Sequence, residues 1–165
     1  MFIRKSSMTD LPVIMKIYAR ARAFMAESGN PRQWGPNCWP PEELIRNDIA
    51  DGDSYVCEHD GEVCAVFYYV FGKDIEPTYA RIDGGKWLSD EPYGVVHRIA
   101  SSGKVKGAGR FCLNWAFEQC RHLRIDTHED NKVMQNLVTK LGFEYCGIIY
   151  VHEDNDPRLA YEKLA

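Results

Sequence analysis

The chain has 165 residues, 45% of them hydrophobic and 27% charged, which is typical of one globular domain over residues 1–165 and argues against disorder. Twenty basic against 24 acidic residues give a net charge of −4, so we expect no global attraction to nucleic acid or to an anionic membrane. The longest apolar run, residues 64–71, is too short to cross a bilayer, and the N-terminus lacks the apolar core of a secretion signal. These features predict a cytoplasmic protein.

The six cysteines follow no metal-binding or redox pattern. None forms a C-x-x-C pair, and no histidine pair stands at zinc-finger spacing. Cys112 and Cys120 lie on the apolar face of a predicted helix, where cysteine packs as a small hydrophobic residue. We therefore expect structural thiols and no metal site.

The first fifty residues predict a short strand and two helices. Residues 2–5 form the strand, and apolar residues at helical spacing follow Thr9, which is a candidate N-cap. This helix should end at the breaker cluster of residues 28–31. Residues 32–41 contain two tryptophans and three prolines, which favours a loop, and the second helix then buries Ile45.

A hairpin and a long loop are predicted in the middle of the chain. Residues 54–58 and 62–71 have the apolar character of strands, and the Asp-Gly pair at residues 60–61 is typical of a tight hairpin turn. Residues 72–92 are mostly polar, and loops of this length in a compact domain are often functional. Residues 93–101 form a further strand.

The remaining pattern alternates helices and strands. A helix is predicted over residues 107–122, a strand over 123–127 and another helix over 131–141. A last hairpin comprises residues 144–152 and 159–164. The order β-α-α-β-β-β-α-β-α-β-β indicates an α/β or α+β fold in which helices cover a sheet.

One segment has an unusual local charge. Residues 92–117 contain no acidic residue and four basic ones, which are Arg98, Lys104, Lys106 and Arg110. Within it, the glycine-rich segment 101–109 joins a strand to a helix, so the backbone there can approach a ligand and the helix N-terminus can bind phosphate oxygens. Neither the Walker pattern nor G-x-G-x-x-G is present. The alternative is a tight turn with solvated lysines.

Segment 104–109, Lys-Val-Lys-Gly-Ala-Gly, resembles the Q/R-x-x-G-x-G/A loop of the GCN5-related N-acetyltransferases (GNAT). Residues 124–131 and the Lys-Leu-Gly-Phe of 140–143 are similar to the fifth strand and following helix of that family, and the order of elements fits over nearly the whole chain. Residues 29–34, Gly-Asn-Pro-x-Gln-Trp, resemble a bacterial subgroup. The resemblance implies a central mixed, mostly antiparallel sheet that splays between its fourth and fifth strands, with about four flanking helices.

The resemblance also implies that acetyl-coenzyme A (acetyl-CoA) lies in the splay. The loop amides would hold its pyrophosphate, the end of the fourth strand would pair with the pantetheine as an added strand does, and the asparagine before the last helix would contact the cofactor. The residues assigned in this way are Ile99, Ala100, Ser101, Lys104, Val105, Lys106, Gly107, Ala108, Gly109, Arg110 and Asn131. Lys104 departs from the usual Gln or Arg, which a loop acting through its backbone should tolerate.

Acetyl transfer needs a deprotonated amine and a proton or other stabilisation for the leaving thiolate. Many relatives donate that proton from a tyrosine on the last helix, but Val138 stands at the matching position here. Solvent or another tyrosine could substitute, with Tyr145 and Tyr150 as candidates.

Two histidines are candidate bases. Strand alternation predicts His97 on one face with Tyr93, Val95 and Ile99, just before the segment expected to pair with the cofactor. His128 follows the next strand, near the splay. The alternatives are a packed His97 that is hydrogen-bonded within the sheet and a solvated loop His128.

The predicted loops contain candidate acceptor-binding residues. Trp34, Tyr79 and Trp87 could form a wall that attracts an amine by cation–π contact, or could simply anchor the loops. Asp126 could bind a cationic substrate or orient a histidine, and as a charged residue in a strand it needs a partner in either role.

These features predict an acetyl-CoA-dependent N-acetyltransferase that acts on a primary amine of a small molecule or peptide, with a homodimer possible. A non-catalytic acyl-CoA-binding or sensing module is the alternative, because the usual tyrosine is absent. A nucleotide-binding protein is a more distant third.

Overall fold

The structure, a computed structural model, describes residues 1–35, 38–151 and 155–165. Within these residues the chain forms seven strands, which are β1 (Phe2–Lys5), β2 (Ser54–His59), β3 (Glu62–Gly72), β4 (Tyr93–Ser101), β5 (His122–Thr127), β6 (Glu144–Tyr150) and β7 (Pro157–Leu164). It also forms four α-helices, which are α1 (Leu11–Glu27), α2 (Glu42–Ala50), α3 (Ala108–Cys120) and α4 (Lys132–Lys140). The predicted end of the sixth strand at residue 152, and residues 36–37 of the predicted loop, lie outside the described residues.

All seven strands belong to one sheet in the order β1-β2-β3-β4-β5-β7-β6. Every neighbouring pair is antiparallel except β4 and β5, which are parallel. The predicted mixed, mostly antiparallel sheet is therefore confirmed. Among the described residues, none of the helices has the length and apolar character needed to cross a membrane.

The parallel pair separates soon after it begins. Gly94 faces Leu123 and Val95 faces Arg124, but the later residues of the two strands do not pair with each other. The rest of β4 keeps its partner β3, so its other edge carries main-chain groups that no strand covers. The predicted splay between the fourth and fifth strands is confirmed, and it opens a gap in the sheet.

Helices cover both faces of the sheet. Helices α1 and α2 pack against one face through a cluster that includes Ile14, Ile17 and Ile45. Helices α3 and α4 pack against the other through a larger cluster that includes Leu113 and Val138. Each fully buried side chain of this size stabilises the fold by about 1.5 to 3 kcal/mol, so the two layers hold the gap between them in place.

The thiols are structural where they are buried. Cys57, Cys64 and Cys112 lie in the larger cluster and are free thiols. Burial raises the pKa of Cys64 to about 12, so this thiol stays neutral and packs as an apolar group.

The start of the first helix differs from its prediction. A 3-10 turn over Met8–Asp10 precedes α1, and Thr9 does not cap the helix. The Asp10 carboxylate accepts hydrogen bonds from the Ser7 main-chain N–H at 2.8 Å and from both terminal nitrogens of Arg4 at 2.8 and 2.9 Å. This cluster fixes the tighter turn, so the N-cap is Asp10 and the α-helix begins one residue later than expected.

Strand β4 contains a bulge that breaks the predicted alternation. The register with β3 shifts between Val66 and Tyr68, and Arg98 adopts a positive φ of 51°. As a result, Ile99 packs with the cluster under α3 and α4 rather than with Val95. The expectation that Ile99 shares the face of His97 is therefore wrong, because one extra residue reverses the alternation.

Candidate active site

The turn between β4 and α3 carries unpaired main-chain N–H groups at the predicted anion site. Gly107 is the N-cap of α3 with a φ of 82°, and the position that a Cβ would occupy there is open. The Lys104 amide donates to Ser102 Oγ at 3.2 Å and so belongs to the turn itself. In the described part of the chain, no hydrogen bond is made by the main-chain N–H groups of Val105, Lys106, Gly107 and Gly109. These free donors and the positive helix end suit phosphate oxygens.

Basic side chains surround this turn. Lys104, Lys106 and Arg110 are exposed on it, whereas Ala108 is buried beneath it. Helix α1 adds one more cation to this group. The sequence pattern did not reveal this residue, because the residue lies outside the apolar stripe of the helix. This is Arg20, whose guanidinium lies against Gly103 in the space that a Cβ there would occupy.

A cleft of about 390 Å³, which we call the strand cleft, lies beside the end of β4. It lies between α1, the end of β4 and α4, and it reaches Gly103 and Gly109 of the glycine-rich turn. The predicted cofactor residues Ile99, Ala100, Ser101, Gly109 and Asn131 all line it. Its volume and apolar walls suit an elongated ligand whose amides could pair with the free edge of β4.

A second space of about 190 Å³, which we call the inner cavity, continues from the strand cleft. The two share the side chains of Met25, Ile99, Asn131 and Met134, so a ligand in one can meet a ligand in the other. The inner cavity is otherwise lined mainly by aromatic and charged residues, including Trp34, Trp39, Glu76, His97, Asp126 and Arg158.

His97 lies between two carboxylates of the inner cavity. Its Nε2 is 2.5 Å from Glu76 Oε1, and its Nδ1 is 3.9 Å from Asp126 Oδ2. The ring stacks on Tyr68 with centroids 5.8 Å apart. The contact with Glu76 favours a proton on Nε2, which leaves Nδ1 as the nitrogen that can accept one.

Tyr79 reaches this group through Asp126 and is itself buried. Its hydroxyl donates to Asp126 Oδ2 at 2.7 Å. Burial, followed by the charge of Asp126, raises the pKa of Tyr79 well above its usual value. Tyr79 therefore remains a hydrogen-bond donor that holds the carboxylate, and it does not form part of a substrate wall.

The two guanidinium groups of the inner cavity are each paired with a carboxylate. Arg98 donates twice to Asp48 at 3.0 Å, and Arg158 Nη1 lies 2.5 Å from Asp156 Oδ2. These ion pairs offset most of the positive charge in the wall. The carboxylates beside His97 then dominate the local field, which favours a cationic guest.

Besides Tyr79 and the turn residues 104–108 and 110, three predicted site residues line neither of these two spaces within the described part of the chain. His128 is 2% exposed, and its Nδ1 accepts from the Asp130 main-chain N–H at 3.0 Å, so it is not a solvated loop histidine. Tyr150 donates to Asp83 Oδ2 at 3.0 Å. Trp87 donates from Nε1 to the Tyr79 carbonyl at 2.9 Å. All three anchor loops or strand ends, whereas Trp34 does line the inner cavity.

Val138 stands where many relatives carry a proton-donating tyrosine, and its side chain cannot donate a proton. Val138 is fully buried in the cluster between α4 and the sheet. Tyr145, the other suggested substitute, is 53% exposed and packs against Tyr161 on the outer strands. Neither residue lines the strand cleft or the inner cavity.

Comparison with known proteins agrees with this architecture. The sequence profile of the Acetyltransferase (GNAT) family matches residues 19–143. A GNAT-family acetyltransferase from Streptococcus agalactiae 2603 is 34% identical, and its crystal structure aligns with a TM-score of 0.90 over 99% of this chain and 95% of its own. A search of curated proteins gave no significant match.

More distant structures share the fold. A GNAT-family acetyltransferase from Listeria monocytogenes 4b F2365 is 18% identical with a TM-score of 0.69, over 98% of this chain and 93% of its own. A ribosomal-protein-alanine N-acetyltransferase from Brucella melitensis is 20% identical with a TM-score of 0.64, over the full length of both chains. With the family profile spanning most of the sequence, the chain belongs to the GNAT acetyltransferase family.

Proposed function

We propose that this protein transfers the acetyl group of acetyl-CoA to a primary amine of a small molecule or peptide by direct attack on the thioester. The observation that carries the proposal is the continuity of the site. Free main-chain amides stand at one end of the strand cleft, and the inner cavity with His97 between two carboxylates stands at the other. We infer that residues 1–165 form one such catalytic domain.

The strand cleft fits the CoA portion of the donor. The open turn at residues 105–109 supplies amides for a pyrophosphate, and the free edge of β4 supplies main-chain groups for the pantetheine amides. Asn30, which is 2% exposed and lines the cleft, has a side-chain oxygen without a hydrogen-bond partner in the described residues. A pantetheine N–H would satisfy this oxygen. When bound, acetyl-CoA supplies the activated acetyl carbon.

His97 is the proposed base of the reaction. Glu76 holds the ring through Nε2, so Nδ1 faces Asp126 and can take a proton from an incoming ammonium group. The amine nitrogen then forms a bond to the acetyl carbon, and the carbon–sulfur bond breaks. We assign the protonation of the thiolate to solvent, because Val138 is buried and carries no proton that it could donate.

Size and charge favour a small cationic acceptor. A cavity of about 190 Å³ admits an aminoalkyl group or the end of a peptide. Glu76 and Asp126 favour an ammonium group, and Trp34 adds an aromatic wall. The Brucella melitensis neighbour is named for alanine acetylation of a ribosomal protein, so an N-terminal alanine peptide belongs among the candidates.

The test measures free thiol released from acetyl-CoA with a panel of amines. The panel consists of alkyl monoamines, diamines and an N-terminal alanine peptide. Each amine is compared with its fully N-acetylated form, which has no free amine and serves as the matched control. Turnover with at least one free amine and none with its acetylated form supports the proposal. Tight CoA binding by calorimetry without turnover on any amine would instead favour the non-catalytic acyl-CoA-binding module that the buried Val138 suggests.

A further inference from the structure

Residues 29–34, the Gly-Asn-Pro-x-Gln-Trp segment that resembles a bacterial subgroup, lie where the strand cleft meets the inner cavity. Gln33 lines the inner cavity, and Asn30 lines the strand cleft. Asn131, the N-cap of α4, lines both. These three amide side chains are joined by hydrogen bonds, so the segment after α1 is tied to the start of α4 above the shared wall.

The hydrogen bonds fix the orientation of each amide. Asn131 Oδ1 must accept from the Met134 main-chain N–H at 3.0 Å, because it caps the helix. Its Nδ2 therefore points away and donates to Gln33 Oε1 at 3.1 Å. Asn30 Nδ2 donates to the same oxygen at 2.9 Å. With Oε1 accepting two hydrogen bonds, the Gln33 side chain cannot be turned over without losing both.

This arrangement leaves one donor for the site. In the described part of the chain, Gln33 Nε2 makes no hydrogen bond, although the rest of its amide is held firmly. Gln33 lines the inner cavity together with Ile99 and Met134, which belong to the wall shared with the strand cleft. A thioester that ends the strand cleft would place its reacting carbon at this junction.

We propose that Gln33 Nε2 donates a hydrogen bond to the carbonyl oxygen of the acetyl thioester. As the amine nitrogen bonds to the carbonyl carbon, the C=O electron pair moves onto this oxygen, and it returns when the carbon–sulfur bond breaks and the thiolate leaves. A fixed donor opposes the charge where it develops without having to reorganise. Asn30 and Asn131 are then positioning residues. This inference rests on the proposed function.

The first test compares two stable ligands in the wild type and in Gln33→Glu. The amide analogue of acetyl-CoA, with NH in place of sulfur, keeps the carbonyl oxygen, whereas S-ethyl-CoA lacks it. The introduced carboxylate still accepts from both asparagines but has no N–H to donate. We expect calorimetry to show about a 3- to 10-fold loss of affinity for the amide analogue only. Equal losses for both ligands, or none, would overturn the proposal.

A control accounts for the change in the net charge of the protein. Gln119→Glu places the same charge on the exposed side of α3, away from both spaces, and should leave both affinities unchanged. In turnover, Gln33→Glu should lower kcat by about 10²-fold without raising KM for the amine. If the wild type is itself inactive with every amine, the proposed function fails, whereas the ligand comparison still tests the hydrogen bond.

The second test reverses the Gln33 amide without mutating it. Asn131→Asp keeps the oxygen that caps α4 but removes the donor to Gln33. The Gln33 amide should then turn over so that Nε2 donates to the new carboxylate and its oxygen faces the cavity. The Asn30 amide should turn with it, so that its side-chain oxygen accepts the second Nε2 hydrogen. We expect the same selective loss of affinity for the amide analogue, with an unchanged melting temperature. Wild-type selectivity in this variant would show that the orientation of Gln33 does not matter.

Discussion

His97 Nε2 and Glu76 Oε1 are 2.5 Å apart, which joins β4 to the long loop before it at the inner cavity. The contact orients the imidazole so that Nδ1 is directed towards the second carboxylate, Asp126, at 3.9 Å. An ammonium group between Nδ1 and Asp126 would meet a proton acceptor and a negative charge together. The geometry therefore serves both substrate attraction and proton removal.

His97→Gln should lower kcat by about 10²- to 10⁴-fold while leaving CoA affinity unchanged. The variant keeps a polar side chain but has no group that accepts a proton near neutral pH. Its rate should rise steeply with pH, because more of the amine is then deprotonated by solvent. His59→Gln, on the distant end of β2, is the control. A His97→Gln enzyme with wild-type kcat at pH 7 would remove this residue from the mechanism.

Gly107→Asp should weaken CoA binding by at least about 100-fold, because the added carboxylate would repel the phosphate that the free amides are expected to bind. The Cβ position is open, so the substitution adds a carboxylate beside the free amides where a phosphate is expected. Gly107→Asn is the matched variant, because Asn has the same shape and tolerates the positive φ of 82° equally well. Calorimetry should show a far smaller loss for Asn than for Asp. Equal affinities for the two variants would mean that no phosphate lies there.

Local chemistry made much of the architecture and the anion site predictable from sequence. The Asp-Gly turn at residues 60–61, the apolar spacing of α3 and the glycine-rich turn before it depend on neighbours in the chain. The free amides at Val105 and Lys106 follow from the same local pattern. Such features need no knowledge of distant contacts, so the sequence indicates them directly.

Features set by distant residues could not be predicted in this way. Arg98, at the bulge, forms an ion pair with Asp48, fifty residues earlier, and the bulge moves Ile99 to the other face. His128 is buried by tertiary packing, although its position after a strand suggested that it is exposed to solvent. The orientation of Gln33 depends on Asn131, ninety-eight residues away. Polar side chains have several partners available, and only the fold selects among them.

The ion pair at the bulge should be important for stability. Arg98 and Asp48 are almost buried and share two hydrogen bonds of 3.0 Å, and the Arg98 carbonyl also accepts from the Tyr18 hydroxyl at 2.7 Å. Asp48→Leu should lower the free energy of unfolding by about 3 to 5 kcal/mol, because it leaves a charge without its partner. The double variant Asp48→Leu/Arg98→Met should recover most of this loss in urea unfolding. A double variant no more stable than the single one would contradict this account.

The Asp10 carboxylate should make the stability of the fold sensitive to acid. The Arg4 guanidinium, bound at 2.8 and 2.9 Å, holds the pKa of Asp10 at about 2, below its ordinary value. A lowered pKa means that the folded state favours the ionised form, so this stabilisation is complete above about pH 4 and disappears as the pH falls to about 2. Because Arg4 is partly exposed, solvent screening limits the contribution to about 1 to 2 kcal/mol.

Asp10→Asn tests this link between charge and stability. The variant keeps an oxygen for the Ser7 amide but cannot ionise, so urea unfolding at pH 6 should show it less stable than the wild type by about 1 to 2 kcal/mol. The difference should shrink steadily between about pH 4 and pH 2, because the wild-type carboxylate becomes protonated over that interval. If the difference in the free energy of unfolding stayed constant between about pH 4 and pH 2, the stabilisation would come from the packing of the side chain and not from its charge. The ion pair with Arg4 would then contribute little.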